Sequence, residues 1–149
     1  MTDQPDSAVE LRARALRLLA RREHSRSELG RKLSRHAESG AALEVLLTDL
    51  EERKQLSNER FAAERARVLS RKYGAARIRQ DLKAKGLDRE TIDRVSSEGE
   101  LERARAILER KYRLPAASRE ERAKRMRFLQ SRGFSSEIFY QLLSARDGD

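Results

Sequence analysis

Apolar residues recur at intervals of three and four along nearly the whole chain, with charged residues filling the gaps. Leu29 and Leu33 form one such stripe. Ala62, Ala66, Leu69 and Tyr73 form another, followed by Ile78 with Leu82 and by Leu101, Ala104 and Leu108. That spacing places each set on one side of a helix. Helix starts are marked by Ser followed three residues later by Glu, the pattern that satisfies orphan N–H groups at an N-terminus. It occurs at Ser7–Glu10, Ser25–Glu28, Ser97–Glu100 and Ser118–Glu121, with Ser57 or Asn58, Asp88 and Ser135 as further caps. Gly74, Gly86 and Gly133 each follow an apolar stretch, where a residue tolerant of the left-handed conformation ends a helix. Between these marks the pattern predicts nine helices, over 8–22, 26–36, 42–53, 58–72, 75–85, 89–96, 98–112, 119–131 and 136–145.

The segments repeat. With Leu33, Leu82 and Leu129 in register, Leu29, Ile78 and (displaced by one) Met126 fall a turn earlier, and Gly86-Leu87 aligns with Gly133-Phe134. ALRLLARRE (15–23), ARVLSRKYG (66–74) and ARAILERKY (104–112) echo one another as first helices. The fold predicted is all-α: three tandem three-helix repeats at 1–56, 57–97 and 98–149. Units this small must stack to bury their apolar faces, so an elongated, curved body with a surface for another macromolecule is expected.

Composition agrees. Val plus Ile number eight in 149 residues, against 19 Ala and 20 Leu, which disfavours sheets. There is no Cys, which excludes disulfides, thiolate nucleophiles and Cys-based metal sites. No leader-like segment opens the chain and no apolar run is long enough to span a membrane, so a cytoplasmic location is expected. Catalytic signatures are missing: no Gly-rich phosphate loop, no nucleophile elbow, and only His24 and His36 as histidines, without a third ligand. The chain is therefore expected to be no enzyme and to take no metal or cofactor.

Charge is the remaining feature. The chain carries 34 basic and 25 acidic residues, net +9. Residues 11–35 sum to +7 and 65–85 to +7, whereas 38–59 and 88–102 each sum to −4. Either the basic faces are paired internally with the acidic segments, or they share a side and meet a polyanion. Arg77 stands one turn before Asp81, the spacing of an intrahelical pair, which leaves Arg79 and Lys83 as the better contacts. Phe61, Tyr73 and Tyr112 lie on apolar stripes and are assigned to the core, leaving no ring for stacking on bases.

Three stretches together resemble the RecX family, regulators of the RecA recombinase. Arg22, Ser25, Arg26, Glu28 and Leu29 match its Arg-x-x-Ser-Arg-x-Glu-Leu motif. Tyr73, Gly74, Arg77, Ile78, Leu82 and Gly86 match its Tyr-Gly-x-x-Arg-Ile motif, and Arg132 to Ser135 match Arg-Gly-Phe-Ser. Asn58 stands where the family often has Asp, and the loop at 37–42 is longer than usual. The resemblance implies binding in the groove of the RecA–DNA filament, across neighbouring protomers, and inhibition of recombinase, ATPase and co-protease activities. Candidate partner or DNA contacts are Arg26, Arg67, Arg71, Arg77, Arg79, Lys83, Lys85, Arg125 and Arg132, on a protein expected to be monomeric. DNA, single- or double-stranded, would be met through its phosphates. The alternatives are a basic helical nucleic-acid-binding protein acting without RecA, and a protein–protein adaptor whose basic stripes are internally paired.

Overall fold

In a computed structural model, residues 4–95 and 98–147 are described. Among them lie nine α-helices and no strand: α1 (Ala8–Arg21), α2 (Arg26–Leu33), α3 (Gly40–Glu52), α4 (Asn58–Leu69), α5 (Ala75–Ala84), α6 (Arg89–Asp93), α7 (Glu100–Lys111), α8 (Arg119–Ser131) and α9 (Ser136–Asp147).

The caps explain most of the starts. Ser7 and Glu10 form a complete reciprocal capping box. Ser25 and Ser118 each accept the backbone N–H three residues on. Their glutamates are used elsewhere: Glu28 pairs with Arg22, and Glu121 accepts the Ala117 N–H. Ser57, not Asn58, caps α4. Asn58 instead accepts the backbone N–H of Arg26 at 2.8 Å, capping α2 from 32 residues away. The Ser97 half of the predicted box lies outside the described residues. Its partner Glu100 accepts the Ala75 N–H at 3.0 Å, so the carboxylate serves α5, while the residue before α7 is Gly99 at φ 75 with no side chain to cap.

The chain divides into two compact units: Met1–Glu64 with Leu82–Ile92, and Arg65–Asp81 with Asp93–Asp149. Helices α4 and α5 each run from one unit into the other. In the first unit α1, α2 and α3 pack mutually around Leu11, Ala15, Leu29, Leu33, Leu47 and Leu50. In the second, α7, α8 and α9 close on Ala104, Ile107, Leu129, Phe134, Phe139 and Leu142. Leu33, Leu82 and Leu129 are each completely buried, as their common register predicts.

Two helix stops behave as expected. After α5 the Leu87 N–H reaches the Leu82 carbonyl and the Gly86 N–H reaches Lys83; after α8, Phe134 reaches Leu129 and Gly133 reaches Gln130. Gly86 (φ 83) and Gly133 (φ 94) supply the left-handed residue. Each turn is a Schellman motif whose apolar residue, Leu87 or Phe134, is buried with the helix it closes. Gly74 differs. Helix α4 ends earlier, at Leu69, and Gly74 does not have positive φ. It is small because another backbone lies against it: a Cβ there would sit 2.5 Å from the Gly133 carbonyl oxygen. Helix α6 is also shorter than its pattern predicts, five residues rather than eight.

Candidate polyanion interface

The two units treat their basic residues differently. In the first, most described arginines are spent on carboxylates. Arg14 forks onto Asp6 at 2.8 and 3.2 Å. Arg22 forks onto Glu28 at 2.9 and 2.6 Å. Arg12 and Arg53 share Asp49, and Arg60 pairs with Glu23. Arg26 is held by Glu44, Glu51 and the Thr48 hydroxyl, tying α2 to α3. Its guanidinium is thus occupied by three groups of α3.

The electrostatics of this unit follow from those pairs. The forked Arg22 hydrogen bonds pull the Glu28 carboxyl down to about 2, against the burial that opposes ionisation. Arg14 similarly lowers Asp6, and Arg12 with Arg53 lowers Asp49. His24 is buried, which holds its imidazole below the ordinary range. Its Nδ1–H donates to the Arg22 carbonyl, and its Nε2 accepts from the Lys32 ammonium, both at 3.0 Å.

In the second unit Arg65 and Arg105 also pair with carboxylates, but a group of other cations meets aromatic rings. The predicted Arg77–Asp81 pair does not form: Asp81 is gripped by Arg65 at 2.8 and 3.0 Å. Arg65 on α4, sixteen residues earlier, reaches the carboxylate instead. Arg77 turns to the Ser131 carbonyl, its guanidinium carbon 4.9 Å from the Tyr73 ring centre. Arg132 lies 5.7 Å from Tyr73 and 5.3 Å from Phe128. Lys111 lies 4.5 Å from Phe128 and 5.9 Å from Tyr112, and Arg125 lies 4.4 Å from Tyr112. Tyr112 and Phe128 meet edge to face at 6.1 Å. Arg77, Tyr73, Arg132, Phe128, Lys111, Tyr112 and Arg125 therefore alternate as one ladder. All six cation contacts fall within the range of cation–π attraction.

The ladder depends on a tight backbone joint. Gly74 donates its N–H to the Arg132 carbonyl at 2.7 Å, and Ala76 donates to Gly133 at 3.3 Å. A Cβ on Gly133 would stand 2.5 Å from the Arg77 Cβ. The Tyr-Gly-x-x-Arg and Arg-Gly-Phe-Ser motifs, which begin 59 residues apart at Tyr73 and Arg132, thus meet here. The first unit contains a related approach, with Gly86 against the Ser27 side chain at the start of α2.

Of the candidates read from the sequence, Arg77, Arg125 and Arg132 come together in the ladder. Arg79 and Lys83 are exposed one turn apart on α5, and Lys85 is half-buried just beyond it. Arg67 is exposed on α4, and Arg71 lines an open groove with Arg103 and Arg110. Two expectations about rings are corrected. Phe61 is core, but Tyr73 and Tyr112 are only half-buried, with faces covered by cations. Lys111 and Phe128 were not singled out from the sequence. Their signal was local and weak: Phe128 stands four residues before Arg132, as Tyr73 stands four before Arg77.

Comparison with known proteins places the chain in a family. The second and third three-helix domains of RecX match residues 57–95 and 98–143. The regulatory protein RecX of Ralstonia nicotianae is 42% identical over 146 residues, spanning 96% of this chain and 92% of its own. That of Herbaspirillum seropedicae is 45% identical over 134 residues, spanning 88% and 87%. The crystal structure of RecX from Lactobacillus salivarius superimposes with a TM-score of 0.82 at 18% identity, covering 95% of this chain and 97% of that one, which speaks to the fold. With 42–45% identity to full-length relatives, and two of its three-helix sets matched by family domains, the chain belongs to the RecX family.

Proposed function

We propose that this protein regulates RecA by binding the groove of the RecA–DNA filament, inhibiting its recombinase, ATPase and co-protease activities. It does so as a cytoplasmic monomer without catalysing a reaction itself. The observation that carries this reading, beside family membership, is the set Arg77, Arg132, Lys111 and Arg125, held against rings with no carboxylate partner among the described residues. A filament offers two things such a surface can use: acidic protein surface and DNA phosphate. A site completed only on assembly also raises the effective concentration for a second engagement. The paired arginines of the first unit suit protein contact better than phosphate contact.

Arg79 and Lys83 are the proposed direct contacts on α5, being exposed and one turn apart. The test is capture of RecA with and without single-stranded DNA and nucleotide, followed by ATPase and strand-exchange titrations. Preferential capture of assembled RecA and loss of inhibition in a folded Arg79→Ala/Lys83→Ala variant are expected. Equal inhibition by that variant removes these residues from the site. No inhibition by the native chain, with equal affinity for free and assembled RecA, rejects the reading in favour of a nucleic-acid-binding protein acting without RecA.

A further inference from the structure

We infer that Tyr73, Phe128 and Tyr112 hold Arg77, Arg132, Lys111 and Arg125 as a pre-ordered track for the phosphodiester backbone of nucleic acid. The inference rests on the proposed contact of this protein with DNA and says which residues make it and how.

Four cations stand in a row, and none of them forms an ion pair with a carboxylate among the described residues. Arg77 and Arg125 each give one N–H to a backbone carbonyl, of Ser131 and Leu114. A carbonyl fixes a guanidinium without cancelling its charge. Glu121, which lines the same cleft as Tyr112 and Arg125, is engaged by the Ala117 N–H. A ring over the face of a guanidinium leaves its edge N–H donors free, and those are the donors that fork onto phosphate. The rings thus do what carboxylates do in the first unit, holding long side chains in place, but they leave the positive charge standing.

This arrangement suits a linear polyanion carrying one charge per nucleotide better than an isolated acidic patch. It also defines how recognition works. Each ring already has two cations within 6 Å of its centre. Bases would have to displace these cations to stack on the rings, so binding follows charge rather than sequence. The rings are positioning residues. Their contribution is the side-chain ordering that the cations no longer lose on binding, worth about two- to tenfold in affinity per side chain.

Because the rings are neutral, they can be removed without changing the net charge. Fluorescence anisotropy of the full chain with labelled 30-nucleotide oligothymidine, a mixed-sequence strand and the corresponding duplex provides the measurement. Tyr73→Leu and Phe128→Leu should each weaken binding about two- to tenfold. Affinity should still fall with salt as steeply as for the native chain. Arg132→Gln should instead lower the slope of log affinity against log salt by about 0.7 on the single strand. Arg17→Gln makes the same charge change on exposed α1 of the first unit and should leave binding close to native. Phe128 borders the second core, so Tyr73→Leu carries the test if Phe128→Leu fails to fold. Native-like binding by a folded Tyr73→Leu chain, with weakened binding by Arg132→Gln, overturns the role of the rings while phosphate contact stands. Equal effects of Arg17→Gln and Arg132→Gln, or competition by polyglutamate equal to oligothymidine per charge, overturn the track. Absence of binding to any oligonucleotide overturns it together with the proposed DNA contact.

Discussion

Lys54 follows α3 at φ 61, where it does the work that Gly86 and Gly133 do after α5 and α8. The Gln55 N–H reaches the Leu50 carbonyl and the Lys54 N–H reaches Glu51, the same pair of bonds as in the later turns. A side chain in that conformation costs about 1–2 kcal/mol that glycine avoids, partly offset by the greater freedom of glycine in the unfolded chain. Lys54→Gly should therefore raise stability by up to about 1 kcal/mol, read as a higher urea midpoint with an unchanged slope. Titration gives a second residue-level expectation. Glu28 ionises near 2 in the fold against an ordinary 4.5, so its stabilisation is complete above pH 4.5 and disappears as pH falls towards 2. His24 is also depressed, from 6.5, so below that pH the unfolded chain takes up the proton first and stability declines. Both groups act in one direction: stability holds at neutral pH and falls in two windows on acidification. Glu28→Gln should flatten the lower window only, and an acid profile matching the native one would show that the Arg22 pair is not its source. The burial of Leu33, Leu82 and Leu129 was legible because apolar spacing encodes it. The Arg65–Asp81 pair was not, since spacing alone offers Asp81 to Arg77 and Arg65 stands sixteen residues away.

At the scale of elements, helix starts were readable wherever the cap is local. Ser7, Ser25, Ser57 and Ser118 each act on an N–H three residues ahead. Ser39 does the same for α3, accepting from Ala42, and starts that helix two residues before the apolar pattern does. It lacks the acidic partner that made the other starts conspicuous. Caps made across the chain leave no such trace. Asn58 and Glu100 sit at the beginnings of α4 and α7, yet their side chains serve α2 and α5. Asn58→Ala should therefore lower stability by about 1 kcal/mol by stranding the Arg26 N–H, without shortening α4. Asn58→Asp should retain the cap and gain from the positive end of the α2 dipole. Gly74 illustrates the same limit: a glycine after an apolar run reads as a stop, whereas its reason is the Gly133 backbone against it.

On the scale of the whole chain, the sequence showed two +7 segments but not that they differ in kind. In the first, Arg12 and Arg26 meet carboxylates distant in sequence and Arg14 and Arg22 nearer ones; in the second, Arg65 meets Asp81 and Arg77 lies over the Tyr73 ring. Both outcomes depend on contacts such as Arg26 with Glu51 and Arg132 with Tyr73, which periodicity does not carry. The three-helix repeat was legible for the opposite reason, because its signals recur locally every 47–49 residues. Yet the repeat and the compact unit do not coincide: one division falls after Glu64 inside α4, the other after Asp81 inside α5. Native-state hydrogen exchange should expose this. Helices ordinarily fray from their ends, but amides up to Glu64 should open with the first unit and those from Arg65 with the second. In α5 the order reverses, with amides up to Asp81 following the second unit and those from Leu82 the first. A destabilising change confined to the first core, such as Leu29→Ala, should then accelerate exchange at the beginning of α4 and the end of α5 while sparing the residues next to them. The slow and fast amides of a single helix would report which half of the protein had opened.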